Sequence, residues 1–224
     1  LRDFRLAGVD KDDATRQRIR DLSDSLTLLG QEFGRNIRED KSTVTCTAAE
    51  LDGMPADWIA AHKPAADGTI TLTCEYPDAV PVFNYAKNEG LRKRMFMAYN
   101  NRAYPANIGV LDRMRMRRHE LAQTMGFSNF ADYVTADKMV GSATNARDFI
   151  GRVVTASQEK QAREYQQLLA RKQKDVPGAT EVNFWEVNYY KEAVRRTDYD
   201  FDSQSIRPYL PFDKVKQGVL DVTF

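Results

Sequence analysis

The sequence predicts a mainly α-helical chain that carries one small two-stranded β element near residues 42–74. Over most of the chain, apolar residues recur at steps of three and four, which is the period of one buried helix face. Two short stretches instead alternate threonine with apolar residues, which is the period of a strand with one buried face. With 42% hydrophobic and 29% charged residues among 224, the composition is that of a globular protein.

The first long helix is predicted over about Asp13–Asp40, because aspartates crowd its start, where the helix dipole favours negative charge. Its apolar face comprises Ile19, Leu22, Leu26, Leu29, Phe33 and Ile37. Ser42–Thr47 and Thr69–Cys74 are predicted as the two strands, since both are short and β-branched. We expect a short helix at Leu51–His62 between them.

From Pro77 to about Asp198 the pattern is helical throughout. The predicted helices are Val80–Lys87 entered at Pro81, Asn88–Tyr104, Asn107–Met125 ending at Gly126, Asn129–Lys138 with Ser128 as N-cap, a run of about 30 residues from Ser142 to Lys174, and Asn183–Arg196. Pro208 and Pro211 then predict an extended Ser205–Pro211, because proline restricts the residue before it. A last helix starts near Phe212.

These elements divide the chain into four predicted segments. They are a long helix at 1–40, a small β and short-helix insert at 41–76, a helical bundle at 77–198, and an extended segment with a truncated helix at 199–224. Leu1 is not methionine and Phe224 lies inside an apolar helical pattern, so we expect a piece of a longer chain. No signal peptide follows Leu1, which predicts a cytoplasmic location.

Charge and residue counts exclude several classes of protein. Lys and Arg number 33 against 32 Asp and Glu, and a net charge of +1 argues against nucleic-acid or membrane-surface binding through bulk charge. Two histidines and two cysteines exclude a metal-rich protein or a disulfide scaffold. No apolar run approaches the roughly 20 residues that a membrane span needs, so we expect no membrane partner.

The string His119-Glu-Leu-Ala-Gln123 nearly matches the His-Glu-x-x-His helix of zinc proteases. In that helix, two histidines four residues apart share a face and reach one metal ion. Gln123 stands where the second histidine would be, and a glutamine amide is a poor zinc ligand. Because His62 is the only other histidine, we interpret the string as a polar helix face and expect no catalytic or zinc-binding residue in this chain.

The two cysteines allow two interpretations. Cys46 and Cys74 either form a bridge across the predicted hairpin or serve as small buried hydrophobic residues on its apolar face. The absence of a secretion signal favours free thiols.

A basic patch lies on the predicted helix at 107–125. It consists of Arg113, Arg115, Arg117 and Arg118, with Met114 and Met116 between them. Helical spacing spreads the arginines around the axis, and methionine does not stack bases as aromatic rings do. A solvated, ion-paired face is therefore favoured over phosphate binding, and no nucleic-acid partner is expected.

The densest aromatic run is Phe184-Trp185-Glu-Val-Asn-Tyr189-Tyr190, with Tyr199, Phe201 and Tyr209 beyond it. Core and interdomain packing is one interpretation, which the spacing favours. The other is a wall of a peptide channel, where amphipathic rings offer apolar area with a polar tip. The candidate residues for a substrate channel or a face between lobes are Trp185, Tyr189, Tyr190 and Tyr209.

Several strings, in this order, resemble the zinc oligopeptidase family of thimet oligopeptidase, oligopeptidase A and dipeptidyl carboxypeptidase. They are Phe4-Arg-Leu-Ala-Gly-Val-Asp10, Glu50-Leu-Asp-Gly-Met-Pro55, Tyr76-Pro-Asp-Ala-Val-Pro-Val-Phe-Asn-Tyr-Ala-Lys-Asn88, Ala98-Tyr-Asn-Asn-Arg-Ala-Tyr104, Arg118-His-Glu-Leu-Ala122, Asn129-Phe-Ala-Asp-Tyr133, Lys138-Met139, Trp185-Glu-Val-Asn-Tyr-Tyr190, Tyr199-Asp-Phe-Asp-Ser203 and Ile206-Arg-Pro-Tyr-Leu-Pro211. Each string is weak alone, but their shared order over nearly the whole chain makes the resemblance specific.

The resemblance implies a fold and an activity. Members of this family have two largely helical lobes around a deep channel that admits short peptides, so the long helices here would form a channel-wall lobe. Their zinc is held by a His-Glu-x-x-His helix and a later glutamate, and it lowers the pKa of a bound water. In the family that helix follows the segment matching Ile206–Pro211, so the resemblance implies zinc in a full-length parent and none in this chain.

Two hypotheses follow. In the first, the chain is a fragment of a zinc metallopeptidase, either a metalloendopeptidase or a dipeptidyl carboxypeptidase, and is inactive by itself. Its partners would be short peptides and the missing catalytic half of its own chain. In the second, the chain is a free-standing helical interaction module that has lost the catalytic half.

Overall fold

The computed structural model describes residues 2–223, and it confirms a mainly helical fold with one small sheet. Its helices are α1 Arg2–Leu6, α2 Asp13–Glu39, α3 Ala56–Ala61, α4 Tyr76–Tyr85, α5 Glu89–Asn100, α6 Ala106–Thr124, α7 Phe130–Thr135, α8 Ala143–Asp175, α9 Val187–Asp198 and α10 Phe212–Thr223. The strands are β1 Thr43–Thr47 and β2 Thr69–Thr73, and two short 3₁₀ helices cover Ala48–Leu51 and Ser203–Tyr209. Leu1 and Phe224, on which the expectation of cut ends rests, lie outside the described residues.

The described chain packs into two compact units. The first unit combines residues 1–41 with 101–160, and the second combines 42–100 with 161–224. The units follow packing rather than chain order, and the long helix α8 contributes to both of them. Among residues 2–223, no helix is both long and apolar enough to cross a membrane.

In the first unit, α2 packs against α6. The core contains Ile19 and Leu22 from α2 with Leu121 and Met125, and the rings of Phe127, Phe130 and Tyr133 pack around it. Leu121 is thus buried on the helix that carries the near-match to a zinc motif, whereas His119 and Gln123 are exposed. The interpretation of that string as a polar helix face beside a core leucine is confirmed.

The basic patch of the first unit is largely ion-paired, as its spacing indicates. Arg113 Nη2 lies 2.7 Å from Glu32 Oε1 on α2, and Arg117 Nη1 lies 2.9 Å from Glu120 Oε2. Arg115 lies 3.6 Å from Asp112, and all of these side chains are partly exposed. Exposed pairs of this kind contribute little net stability, so the patch is a solvated helix face.

In the second unit, β1 and β2 form an antiparallel pair with Val44 opposite Leu72 and Cys46 opposite Ile70. These four side chains are buried while the intervening threonines face outward, so the predicted period of two is confirmed. Neither Cys46 nor Cys74 forms a disulfide and both are buried, which confirms the second of the two interpretations. The sheet packs with α4 and α5 around one core of Val44, Cys46, Leu51, Met54, Ile70, Leu72, Cys74, Ala79, Val82, Phe83, Ala86, Leu91 and Met95.

One helix begins earlier than predicted. The helix expected at Val80–Lys87, with Pro81 in its first turn, is α4 at Tyr76–Tyr85, so Pro81 lies in its interior. An interior proline donates no N–H to the carbonyl four residues before it, here that of Pro77. The indole Nε1 of Trp58 donates to this carbonyl at 3.0 Å, and a tertiary contact thereby compensates for the lost helix bond.

The predicted N-cap Ser128 is also wrong. The helix α7 begins at Phe130, and Asn129 is its N-cap, with a side chain that accepts from the backbone N–H of Asp132 at 2.9 Å. Asparagine and serine are similarly strong caps, so the local sequence offers both.

The expectation of an extended Ser205–Pro211 is wrong as well, because Ser203–Tyr209 is a 3₁₀ helix. The φ angle that proline imposes suits a 3₁₀ helix as well as an extended chain. Asp202 caps this turn by accepting from the backbone N–H of Gln204 at 2.9 Å. Arg207 secures it with contacts of 2.8 and 3.2 Å to the carboxylate of Asp57.

A polar cluster joins α3, β2 and α4 in the second unit. Asp78 Oδ2 accepts from the backbone N–H of Thr73 at 2.8 Å and from its hydroxyl at 2.6 Å, while Asp78 Oδ1 lies 2.9 Å from His62 Nε2. The other ring nitrogen of His62 lies 2.7 Å from the carbonyl of Trp58, and the two rings stack at 3.7 Å. Both imidazole nitrogens therefore lie within hydrogen-bond distance of an oxygen atom.

We expect Asp78→Asn to lower the free energy of unfolding of the second unit by about 1–3 kcal/mol, because an amide cannot replace both charge-assisted acceptors. Urea titration followed by tryptophan fluorescence measures this, since both tryptophans, Trp58 and Trp185, lie in that unit. Asp57→Asn, at an exposed pair with Arg207, is the matched control and should produce a smaller loss.

Asp78→Asn should also make the free energy of unfolding depend less on pH under acidic conditions. Burial alone would raise the pKa of Asp78, but the hydrogen bonds from Thr73 and His62 outweigh it and hold the pKa below its usual value. A lowered pKa contributes stability above the unfolded value of about 3.9, and this is lost as pH falls through the folded value. This role of Asp78 would be contradicted if the free energy of unfolding fell equally steeply with acid pH in the unchanged chain and in Asp78→Asn.

Candidate functional site

The structure brings three of the four candidate aromatic residues together in the second unit. Trp185 comes just before α9, and Tyr189 and Tyr190 lie in its first turn. Trp185 and Tyr189 contact α5, whereas Tyr190 belongs to a core cluster with Val182 and Ala193. Tyr209 lies apart in the 3₁₀ helix at 203–209, and its side chain is 83% exposed. The role of these residues in a substrate channel or between lobes stays a prediction.

Trp185 is held on α5 by three different contacts. Its indole Nε1 donates to Glu89 Oε1 at 3.1 Å, and Lys93 Nζ lies 4.7 Å from the centre of its ring. Phe96 meets the indole edge-on, with ring centroids 6.5 Å apart. A hydrogen bond, a cation–π contact and an aromatic contact together fix the ring in one orientation.

The neighbouring tyrosines differ in burial. Tyr190 is 2% exposed, and burial together with the nearby carboxylate of Glu186 raises its pKa to about 12. Tyr189 is half-buried, meets the Tyr190 ring edge-on at 5.1 Å, and has the Arg92 guanidinium 4.2 Å from its ring centre. Tyr190 is thus a core residue, and only Tyr189 of this pair retains accessible ring surface.

A buried ion pair lies behind these rings, and the sequence analysis did not single it out. Glu186 Oε2 lies 2.6 Å from Lys172 Nζ on α8, and it also accepts from the backbone N–H of Asn183 at 2.8 Å. Glu186 is fully buried. Burial alone would raise its pKa, but the bonds from Lys172 and Asn183 outweigh it and hold the pKa below the usual range. Glu186 is therefore a carboxylate at neutral pH.

Arg92 on α5 completes this charged group. Its Nη1 donates to the carbonyls of Ala86 at 2.6 Å and Lys87 at 2.9 Å, next to the end of α4, and its Nη2 lies 4.0 Å from Glu186 Oε1. The Arg92 side chain is 2% exposed, and burial lowers its pKa from the usual value. Arginine remains charged because that usual value exceeds 12. One buried carboxylate thus faces two buried cations.

No sequence pattern marks this group, because Arg92, Lys172 and Glu186 are widely separated and each sits in an ordinary polar context. The only available signal was the helical phase of Arg92, which falls between the apolar Leu91 and Met95 on the buried side of α5. A charge on a predicted buried face indicates a paired ion, but its partners come from other elements.

The described residues do not fit a catalytic zinc ion. Among the side chains of residues 4–223, no group of three or more His, Cys, Asp and Glu could hold a metal. The two histidines belong to different units, and His62 is engaged with Asp78 and Trp58. A zinc centre needs at least three converging protein ligands, so no step of a metal-dependent reaction is assigned to these residues.

We expect Glu186→Gln to destabilise the second unit by about 3–5 kcal/mol, because it leaves Lys172 buried without a counter-charge. Unfolding in urea, followed by tryptophan fluorescence, gives the value. Asp52→Asn removes a carboxylate from the exposed pair with Lys87, at 3.1 Å, and should cost less than about 1 kcal/mol. Replacing both buried partners, as Lys172→Met with Glu186→Leu, should cost less than Glu186→Gln. Equal losses for Glu186→Gln and Asp52→Asn would contradict the burial argument.

Comparison with known proteins supports the resemblance found in the sequence. A family model described as Peptidase family M3 matches residues 82–223. Oligopeptidase A of Salmonella typhimurium is 30% identical, over 99% of this chain and 35% of that protein. Saccharolysin of Saccharomyces cerevisiae is 24% identical over 99% of this chain and 32% of its own length, and a probable thimet oligopeptidase of Arabidopsis thaliana is 27% identical over 99% and 31%. The chain spans about a third of the length of these relatives. With more than half of its residues matched by the family model, the chain belongs to Peptidase family M3.

Proposed function

We propose that this chain is one part of a zinc-dependent oligopeptidase that hydrolyses short peptides in a deep channel. The observation that carries the proposal is the match to relatives named oligopeptidase A, which covers 99% of this chain but 35% of the relative. A match that covers nearly all of this chain but only about a third of the relative favours a part of an enzyme over a complete one.

The catalytic zinc and its ligands would belong to the rest of the parent protein. This division is supported by the histidine count and by the exposed, unclustered position of His119 on α6. When bound, zinc would activate a water for attack on the peptide bond. The chain described here would supply no metal ligand and, by itself, no hydrolysis.

The contribution of this chain would be a helical wall beside the peptide. The second unit is suited to that role, because its buried ions and the fixed Trp185 ring leave little freedom in α5 and α9. A rigid wall holds a peptide without first having to be ordered, so less binding free energy is lost. Tyr189 and Tyr209, which keep accessible ring surface, are the candidate residues for peptide contact, whereas Trp185 and Tyr190 would support them.

The segments 1–40, 41–76, 77–198 and 199–224 remain part of this proposal, with the last one leading into the catalytic part of the parent. In α10, the apolar side chains of Phe212, Val215 and Val219 are exposed, as expected of a helix that another part of the parent covers. A cytoplasmic location for the parent is proposed with it.

The chain alone should not cleave an internally quenched fluorogenic peptide, with or without added Zn²⁺, because it lacks converging metal ligands. The full-length parent should cleave the same peptide and lose the activity in a chelator. Fluorescence increase over time measures both. Chelator-sensitive cleavage by the chain alone would overturn the division of labour, and an inactive full-length parent would overturn the proposed function.

A further inference from the structure

The described sheet of the second unit has two strands, so β1 and β2 each have an outer edge. The backbone N–H of Cys74 donates to the carbonyl of Ser42 at 3.3 Å, and inward and outward groups alternate along an antiparallel ladder. The backbone groups that point outward are therefore those of six threonines, Thr43, Thr45 and Thr47 on β1 and Thr69, Thr71 and Thr73 on β2. Outward N–H and C=O groups of this kind can pair with a strand of another chain.

The outer edge of β1 is covered by side chains of neighbouring elements. Glu50 Oε2 accepts from the backbone N–H of Thr47 at 3.0 Å, and Arg94 Nη2 donates to the carbonyl of Thr45 at 3.3 Å. Glu50 and Arg94 also pair with each other at 2.9 Å. A strand added at this edge would have to displace both side chains.

Two carboxylates occupy the outer edge of β2, one towards each end of the strand. Asp67 Oδ1 accepts from the backbone N–H of Thr69 at 2.9 Å, and Asp78 Oδ2 accepts from that of Thr73 at 2.8 Å. Each oxygen thus lies where the carbonyl of an added strand would have to lie. Hydrogen bonds from the hydroxyl and the N–H of Thr69 hold the pKa of Asp67 below its usual value. Burial raises the pKa of Asp78 but its hydrogen bonds lower it further, so both groups are carboxylates at neutral pH.

Between these carboxylates, the edge of β2 is open at Thr71. The side chain of Thr71 is exposed, and its outward N–H and C=O have no hydrogen-bond partner among the described residues. Within the same part of the chain, the outward carbonyl of Thr73 has no partner either. The open groups are therefore one N–H and two carbonyls.

The edge of β2 is complementary to a second copy of itself. If two copies pair antiparallel with Thr71 opposite Thr71, then Thr69 of each copy lies opposite Thr73 of the other. The same pairing brings Asp67 of each copy towards Asp78 of the other, so like charges meet at both ends. The carboxylates therefore oppose the pairing twice, because they occupy N–H groups and because they repel each other.

We propose that the outer edge of β2 is an interaction surface for a second copy of this chain, which Asp67 and Asp78 hold closed. With both carboxylates in place, two copies can form hydrogen bonds at Thr71 alone, and these are too few for a stable pair. Without the Asp67 carboxylate, the N–H of Thr69 becomes available to the carbonyl of Thr73 in the other copy. The pair then gains two hydrogen bonds and loses two repulsions.

Sedimentation velocity of the chain over a range of concentrations tests the proposal, with Asp67→Ala as the main variant. We expect this variant to self-associate more tightly than the unchanged chain by about tenfold or more, because of the two added hydrogen bonds. Asp67→Asn is the matched control. Its amide oxygen can still accept from the N–H of Thr69, so it should stay close to the unchanged chain. Asp67 is exposed, so both variants should fold, and thermal unfolding checks that they do.

A second substitution locates the contact. Thr71→Pro removes the open N–H at the centre of the edge, and proline is tolerated at an edge position whose N–H points outward. Asp67→Ala combined with Thr71→Pro should therefore associate no more tightly than the unchanged chain. Hydrogen exchange gives an independent measurement, because the Thr71 N–H should exchange more slowly in the associated Asp67→Ala variant than in the unchanged chain.

The proposal would be overturned if Asp67→Ala associated no more tightly than the unchanged chain, or if Asp67→Asn associated as tightly as Asp67→Ala. It would also be overturned if the association of Asp67→Ala survived Thr71→Pro, or if it left the exchange of the Thr71 N–H unchanged. Either of these last results would indicate contact through another surface, such as the exposed apolar side of α10.

Discussion

The second unit depends on a constraint among three buried charges. Glu186 lies at the start of α9, Lys172 on α8 and Arg92 on α5, and each charge is buried so completely that it needs the others. Such a group adds little net stability, because removing ions from water costs about as much as their attraction returns. The group instead fixes the relative positions of these helices, since any displacement would leave a buried ion without its partner. Arg92 extends the constraint to the end of α4 through the carbonyls of Ala86 and Lys87.

The positions of the aromatic rings follow from that constraint. With α5 and α9 held by Arg92 and Glu186, the indole of Trp185 meets Glu89, and Tyr189 lies against the guanidinium of Arg92. The same arrangement buries Tyr190 in the core of the second unit. Tyr189 meets its ring edge-on and stays half-buried. Packing therefore accounts for Tyr190, whereas a ligand wall stays a prediction for the rings of the run that keep accessible surface.

Helices and strands were predicted well where the residues that stabilise them lie within the same segment of the sequence. The helix α2 was placed within a residue at each end, because its apolar period and its Asp12 cap lie in contiguous sequence. The strands were predicted equally well, since the alternation of apolar residues and threonine decides the buried face of each strand without knowledge of its partner strand. Predictions were wrong where a contact with a residue far away in the sequence stabilises a different local conformation. Trp58 stabilises a helix through Pro81 by bonding the carbonyl of Pro77, and Asp57 holds the turn at 203–209 through Arg207.

The sequence by itself determined the fold class, the strand pair, most helices and the family, because these depend on periodicity and on strings of neighbouring residues. It also predicts no zinc site within this chain, which has two histidines and lacks the second histidine of a His-Glu-x-x-His helix. Only the tertiary structure decided that the described chain packs into two units and that Arg92, Lys172 and Glu186 form one buried group. The physical reason is that the energy of a buried charge depends on which partners lie within a few ångströms. Those partners come from segments far apart in the chain, so no local pattern records them.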